Sequence, residues 1–407
     1  MNRWCLWLAL AGLAGCRGRP VDTGAGSDLS RLVDSLRPAV ERAAGLRFKR
    51  PPRAEIRTRE QVRTYVVHQL EEALPGHKVE GLEAAYRLLG LLPDTLELRR
   101  LMLDLFTEQI AGYYEPDSTT LFAVAGADPA QLRVVLAHEL VHALQHQYTP
   151  VDSLMHHPLD NDHNTAAQAI LEGQATLVGL QVMVPTQNVT AMPEFWETFR
   201  EQIRQQQSSM PVFKQAPRII REGLVFPYLA GADFMRWWAG SEHRDTVPFG
   251  RLMPTSTEQV LHPSRYGRGD QPLLIHFKEP GDSASNYEDV LGEFEIRVLT
   301  AELSGAPEVT TAVPIGWGGD RFRVELNKGG PALTWYTAWD DSASAEQFQL
   351  HTANLLARRR RLGYRMEVKR MDLSGHPAVR ILLAPSAWSG WSHAPEAEVE
   401  APHAEGH

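Results

Sequence analysis

The chain has 407 residues, of which 43% are hydrophobic and 22% charged. That composition excludes a mostly disordered protein and allows one large domain or two ordinary ones. The formal net charge is −9 with no basic stripe, which excludes nucleic acid as a partner gripped through its phosphates. Cys5 and Cys16 are the only cysteines, too few for a disulfide framework or a cysteine-based zinc knuckle.

Residues 1–16 read MNRWCLWLALAGLAGC. Arg3 supplies a short positive region, and the apolar run from Trp4 to Leu13 is shorter than the roughly 20 residues of a membrane-spanning helix. It fits the apolar region of a secretory signal. The sequence Leu13-Ala14-Gly15-Cys16 resembles a bacterial lipoprotein box. The resemblance implies a signal peptide over 1–15, lipidation at Cys16, and a membrane partner reached through an N-terminal lipid anchor. Because Arg17 rather than an aspartate follows, it also implies the outer membrane within the bacterial cell envelope. Residues 16–29 read as a tether.

Helical periodicity follows at Leu29, Leu32, Val33 and Leu36, at Val62, Tyr65, Val66 and Leu70, then through Leu82–Leu92 and Leu96–Ile110. Residues 113–124, YYEPDSTTLFAV, place a Glu-Pro-Asp-Ser turn between aromatic and β-branched residues, the mark of a hairpin or edge strand. Helices are predicted over 129–147, 164–183, 193–208 and 228–239, and a proline-punctuated loop over 248–275. A helix at 287–304 precedes strands at 321–326 and 332–339. A helix at 343–360 and strands near 363–372 and 377–384 complete the unit. The expected fold class is α+β: a mainly helical domain over 30–280 with a small edge sheet, then a smaller C-terminal α+β domain over 285–386. The Ala-, Pro-, Glu- and His-rich tail, 387–407, is expected to be disordered.

The chemistry concentrates in His138-Glu139-Leu140-Val141-His142, an HExxH motif. Two histidines four apart share one helix face and can reach one metal ion. Glu139 lies about 100° around the helix from His138, so it can border the metal without ligating it and serve as general base. Asp128 is a plausible N-cap, Pro129 fits the first helical position, and Gln131 completes a capping-box pattern. The helix is apolar on nearly every side, so its histidines and glutamate need partners. A catalytic zinc needs a third protein ligand and one open position. His146, Asp162, His163 and Glu172 are candidates. His146 drifts about 80° from His138 around the helix. Glu172 is the best placed: it is acidic within a second apolar helix, beside the small Gly173 and Ala175, with Asn164 or Thr165 as a possible cap. Asp162 could accept a hydrogen bond from a ligand imidazole. The aromatic residues Trp237, Trp238, Trp335 and Trp339 read as core.

HELVHALQ followed by AILEGQAT resembles the gluzincins, zinc metallopeptidases with two His ligands and one Glu ligand, over about 105–180. The segments FPYLAG (226–231), PTSTEQVLHPSRY (254–266) and GWGGDR (316–321) resemble a group of secreted bacterial proteins with predicted protease domains. The resemblance implies a zincin-like metallopeptidase domain over 30–280, one zinc ion on His138, His142 and Glu172, and Glu139 as general base. It also implies an edge strand at Thr120, Leu121, Phe122, Ala123 and Val124 that pairs with extended substrate. Tyr228 and His262 are candidate oxyanion donors. The expected function is hydrolysis of a protein or peptide substrate by a lipid-anchored, zinc-dependent endopeptidase. The alternative is a non-catalytic envelope-assembly or binding lipoprotein on the same scaffold.

Overall fold

The structure, a computed structural model, describes residues 26–73, 75–149, 160–186, 192–243, 246–279, 281, 286–306, 315–359 and 361–400. The signal segment and Cys16 lie outside the described residues. The first helix, α1 (Gly26–Ala44), takes in the end of the expected tether. Its heptad-like apolar stripe, Leu29, Val33, Leu36 and Val40, is buried, so Leu29 is anchored by packing while residues 26–28 form an exposed first turn.

Among the described residues, ten further helices and three short strands follow in the N-terminal part. The helices are α2 (Arg59–Ala73), α3 (Gly76–Leu89), α4 (Leu98–Gln109), α5 (Pro129–Tyr148), α6 (Asn161–Met183), α7 (Pro193–Ser208), α8 (Pro211–Gln215), α9 (Arg218–Ala239), α10 (Thr257–Leu261) and α11 (Pro263–Gly267). The strands are β1 (Arg53–Arg57), β2 (Gly112–Glu115) and β3 (Thr120–Val124), in the order β1-β3-β2. Helix α9 begins ten residues before the predicted start, and Pro227 lies inside it. Ile219, Val225 and Phe226 bury its first turns, and that burial outweighs the hydrogen bond the proline removes. The expected loop at 248–275 contains the short helices α10 and α11.

The small sheet corrects one expectation about the site. β1 runs parallel to β3 from Arg53 opposite Thr120 to Arg57 opposite Val124. β2 pairs antiparallel with the other side of β3, from Gly112 opposite Ala123 to Glu115 opposite Thr120. Thr120, Leu121, Phe122, Ala123 and Val124 therefore form the central strand, buried throughout, with no edge left for a substrate. The sequence of β1, RAEIR, carries too little apolar alternation to announce a strand.

After β4 (Ile275–Phe277) come β5 (Asn286–Asp289), α12 (Gly292–Ser304), β6 (Trp317–Asn327), β7 (Gly330–Trp339), α13 (Ser342–Ala357), β8 (Tyr364–Leu373) and β9 (His376–Pro385). Five of these strands form an antiparallel sheet ordered β5-β6-β7-β9-β8. Residues 287–289, expected within a helix, instead pair with β6, where Tyr287 stands opposite Val324. The expected disorder of the tail is corrected over 387–400, while 401–407 lie outside the described residues. Residues 389–391 form a helical turn, and β10 (Ala397–Val399) pairs antiparallel with β4. Ala397 is buried against Ile275 and Phe277 there, which supplies the apolar contact the tail's composition hides. The fold is α+β, as its element pattern predicts.

One hydrophobic cluster runs from α3 and α6 through α9 and α12 into the five-stranded sheet. It includes Ala169, Phe234, Trp238, Leu299, Trp335 and Trp339. Beside it lies a buried polar junction. Asp320 accepts from the backbone N–H of Leu291 (3.0 Å) and Gly292 (2.9 Å) and from the indoles of Trp317 (3.1 Å) and Trp335 (2.9 Å). Thr257 donates its hydroxyl to Asp162 and accepts from the Phe294 N–H at 3.1 Å. Glu295 accepts from the Tyr86 hydroxyl (2.6 Å) and the Asn161 side-chain amide (2.8 Å). These bonds tie the start of α6 to the start of α12.

Helices α6 and α9 cross at backbone contact. A Cβ on Gly231 would stand 1.8 Å from the Ala169 carbonyl oxygen, and one on Gly173 would stand 2.2 Å from the Gly231 carbonyl carbon. Gly231→Ala is expected to destabilise the protein by about 1–3 kcal/mol or more, read as a lower midpoint in urea unfolding. A second prediction concerns pH. Burial raises the Glu295 carboxyl to about 8, against the lowering effect of its bonds from Tyr86 and Asn161, with Asp289 and Asp320 adding to the rise. A carboxyl raised in the folded state gives stability that is fully present below its unfolded value and is lost as pH rises through its folded value. Glu295→Gln keeps the acceptor oxygen and removes the titration. The thermal midpoint of Glu295→Gln should therefore gain on the wild type between about pH 5 and about pH 9.

Candidate metal centre

Helix α5 begins where Asp128 accepts from the backbone N–H of Ala130 (2.9 Å) and Gln131 (3.1 Å), with Pro129 at the first helical position. Its residues from Val135 to Gln145 are buried, against α1, α6 and the small sheet. Helix α6 is capped by Asp160, which accepts from the His163 N–H at 2.9 Å; the cap is thus neither Asn164 nor Thr165. The two helices pack directly on one another, and this brings Glu172 to the two histidines of α5.

The donor atoms converge. His138 Nε2 lies 3.0 Å from Glu172 Oε2, His142 Nε2 lies 3.5 Å from the same oxygen, and the two Nε2 atoms are 3.0 Å apart. The rings meet edge to face, with centroids 4.7 Å apart. All three residues are buried, and among the described residues this is the one group of three or more His, Cys, Asp or Glu side chains close enough to hold a metal ion. Donors about 2.0–2.1 Å from a tetrahedral ion stand roughly 3.3 Å apart, and the three separations bracket that edge. Two ring nitrogens and a carboxylate, desolvated and facing one another, need a proton or a cation among them. The donor set fits a divalent metal.

The electrostatics agree. Burial alone would raise the Glu172 carboxyl, but the His142 charge and hydrogen bonds from both imidazoles bring it down to about 2. Burial lowers the His138 value. For His142 burial also acts downward, but Glu172 outweighs it, helped by Glu139, and the net direction is up. The cluster therefore holds Glu172 as the anion a metal requires.

Glu139 is fully buried, and its Oε2 accepts from the backbone N–H of Tyr114 on β2 at 2.8 Å. It is near enough to His142 to act on it electrostatically, as a residue bordering the ion should. Tyr228 is also at the site: its ring lies along that of His138, with centroids 5.9 Å apart and planes 27° from parallel. Helix α9 delivers it there, three residues before the Gly231 contact. His262 is engaged elsewhere. Its Nε2 lies 3.0 Å from Glu293 Oε1 and 2.9 Å from Arg297 Nη2, on α12. Of the other candidate ligands, His146 meets the Tyr114 hydroxyl at 3.0 Å, and Asp162 accepts from the Thr257 N–H at 3.1 Å. Asp162 thus braces α10 rather than a ligand imidazole. The acceptor facing His142 is Gln145, whose Oε1 is 2.8 Å from Nδ1. The sequence signal for it was its position one helical step after His142 on a buried face.

The fold and site define a mixed α+β protein with a buried two-histidine, one-glutamate cluster. A family described as "Domain of unknown function (DUF8575)" matches residues 282–381, which run from β5 into β9 and do not include the cluster. No curated protein matches the chain. Among solved structures, a crystal structure of a proposed hydrolase with a novel fold from Chloroflexus aurantiacus is 18% identical. That match covers 62% of this chain and 93% of the other, with a TM-score of 0.36. At that score the likeness carries no argument about fold or activity.

Removing a ligand tests the site directly. Wild-type protein is expected to bind one equivalent of zinc, and Glu172→Ala to bind it at least about 100-fold more weakly, as measured by competition with a chromophoric chelator.

Proposed function

We propose that the protein is a lipid-anchored, zinc-dependent peptidase of the cell envelope, acting on protein or peptide substrates. The observation that carries this reading is the convergence of Glu172 on the HExxH histidines, with Glu139 beside them. His138, His142 and Glu172 would hold the ion. A zinc ion so held supplies a Lewis acid for the scissile carbonyl and lowers the pKa of a coordinated water to about 7.

The chain's own groups divide the remaining work. The Tyr114 N–H orients the Glu139 carboxylate, so Glu139 takes a proton from the attacking water and returns it to the leaving amine. Tyr228, ranged along His138, is the hydroxyl donor assigned to the developing oxyanion. The signal-like segment and Cys16 support placement at a membrane through a lipid anchor, and Arg17 supports the outer membrane as its place.

A second reading has one observation in its favour. Glu139 and His142 are 0% exposed and Glu172 is 1% exposed, a seclusion that suits an ion with a structural role in a binding lipoprotein. The intact general-base position favours catalysis, since a structural ion has no use for Glu139. Glu139→Gln separates the two readings. It is expected to retain one zinc and to lose at least about 100-fold in cleavage of a mixed peptide library. A wild-type protein that binds zinc and cleaves no peptide would select the structural reading.

A further inference from the structure

Gln145 is the residue whose role the site leaves to be explained. It is fully buried on α5, one helical step beyond His142. Its side-chain amide makes three contacts: Oε1 to His142 Nδ1 at 2.8 Å, and Nε2 to the Leu171 carbonyl oxygen at 2.8 Å and to Gln174 Oε1 at 2.9 Å.

The two ends of an amide are chemically different. A backbone carbonyl only accepts, so the NH₂ end of Gln145 must face Leu171. The reversed amide would set two oxygens 2.8 Å apart in a buried place. With the NH₂ end fixed, the oxygen end faces His142, and an amide oxygen only accepts. Nδ1 must therefore carry the proton. A neutral imidazole protonated at Nδ1 has its lone pair on Nε2, and Nε2 is the atom that points at His138 and Glu172.

We infer that Gln145 is a positioning residue that locks His142 in its ligand-ready tautomer before any ion arrives. The inference rests on the metal-centre reading and deepens it. The lock also spans the helices. Leu171 immediately precedes Glu172, and Gln174 lies two residues beyond it on α6. One uncharged side chain thus ties the tautomer of one ligand to the backbone that carries another. A carboxylate in this place would accept from Nδ1 equally well, but it would face the Leu171 and Gln174 oxygens without hydrogens to give them.

The test begins with metal-free wild-type protein labelled with ¹⁵N at histidine. Two-bond proton–nitrogen correlations, recorded at a pH where the His142 ring is neutral, are expected to show it protonated at Nδ1 and bare at Nε2. The reverse tautomer overturns the inference, whatever the protein's affinity for zinc. A protein with the expected tautomer that binds no zinc refutes the metal centre instead. Gln145→Met keeps the length and loses the acceptor. It is expected to populate the Nε2-protonated form and to bind zinc about 10–100-fold more weakly. Gln145→Glu restores the acceptor at Nδ1 though not the bonds to Leu171 and Gln174, and should recover the wild-type tautomer. Equal weakening in both variants, with the His142 tautomer unmoved, would assign Gln145 to helix packing alone and sink the proposal.

Discussion

Two imidazoles and a carboxylate, stripped of water and turned toward one point, make the arrangement on which the rest of the molecule depends. In water each would be solvated separately; here their lone pairs face one another within hydrogen-bonding distance. Such a set is tolerable when positive charge sits among the donors and when the two helices carrying them cannot drift apart. Much of the fold answers the second condition. Helix α1 backs α5 through Leu29, Val33, Leu36 and Val40, and α9 presses α6 at the level of Gly173, next to the third donor.

The chemistry of the site was legible because it lies in short-range patterns. A four-residue spacing on one helix and an acid inside an apolar helix are visible without any knowledge of the fold, and the structure brings His138, His142 and Glu172 together. The flanks were less legible. β1 pairs with β3 across 57 to 120 and has almost no apolar alternation, so the sequence shows β3 as a hairpin arm and hides the strand that makes it central. β10 is hidden in a similar way within a polar tail. Pro227 suggests a boundary that buried apolar residues on both sides override. Each miss is a case in which distant packing decides against local preference.

The segments that resemble the secreted bacterial group and lie outside the metal ligands have a common destination. FPYLAG holds Tyr228 beside His138 and Gly231 against α6. PTSTEQ places Thr257 between Asp162 of α6 and the N–H of Phe294. GWGGDR supplies Asp320, which satisfies the first backbone donors around the start of α12. All three bear, directly or through α12, on the helix that carries Glu172. Their shared business is the placement of one carboxylate.

The parallel register between Arg53–Arg57 and Thr120–Val124 carries a consequence for how the chain reaches this state. A hairpin of β2 and β3 closes over a turn of four residues, 116–119, and needs little search. The partner on the far side must return across α2, α3 and α4, an excursion that costs loop entropy before any ladder bond forms. Until it arrives, a fully apolar-flanked row of peptide groups, LFAV among them, stands open to any extended chain nearby. The parallel ladder thus adds a non-local closure, with its cost in loop entropy, to a sheet whose hairpin alone is local.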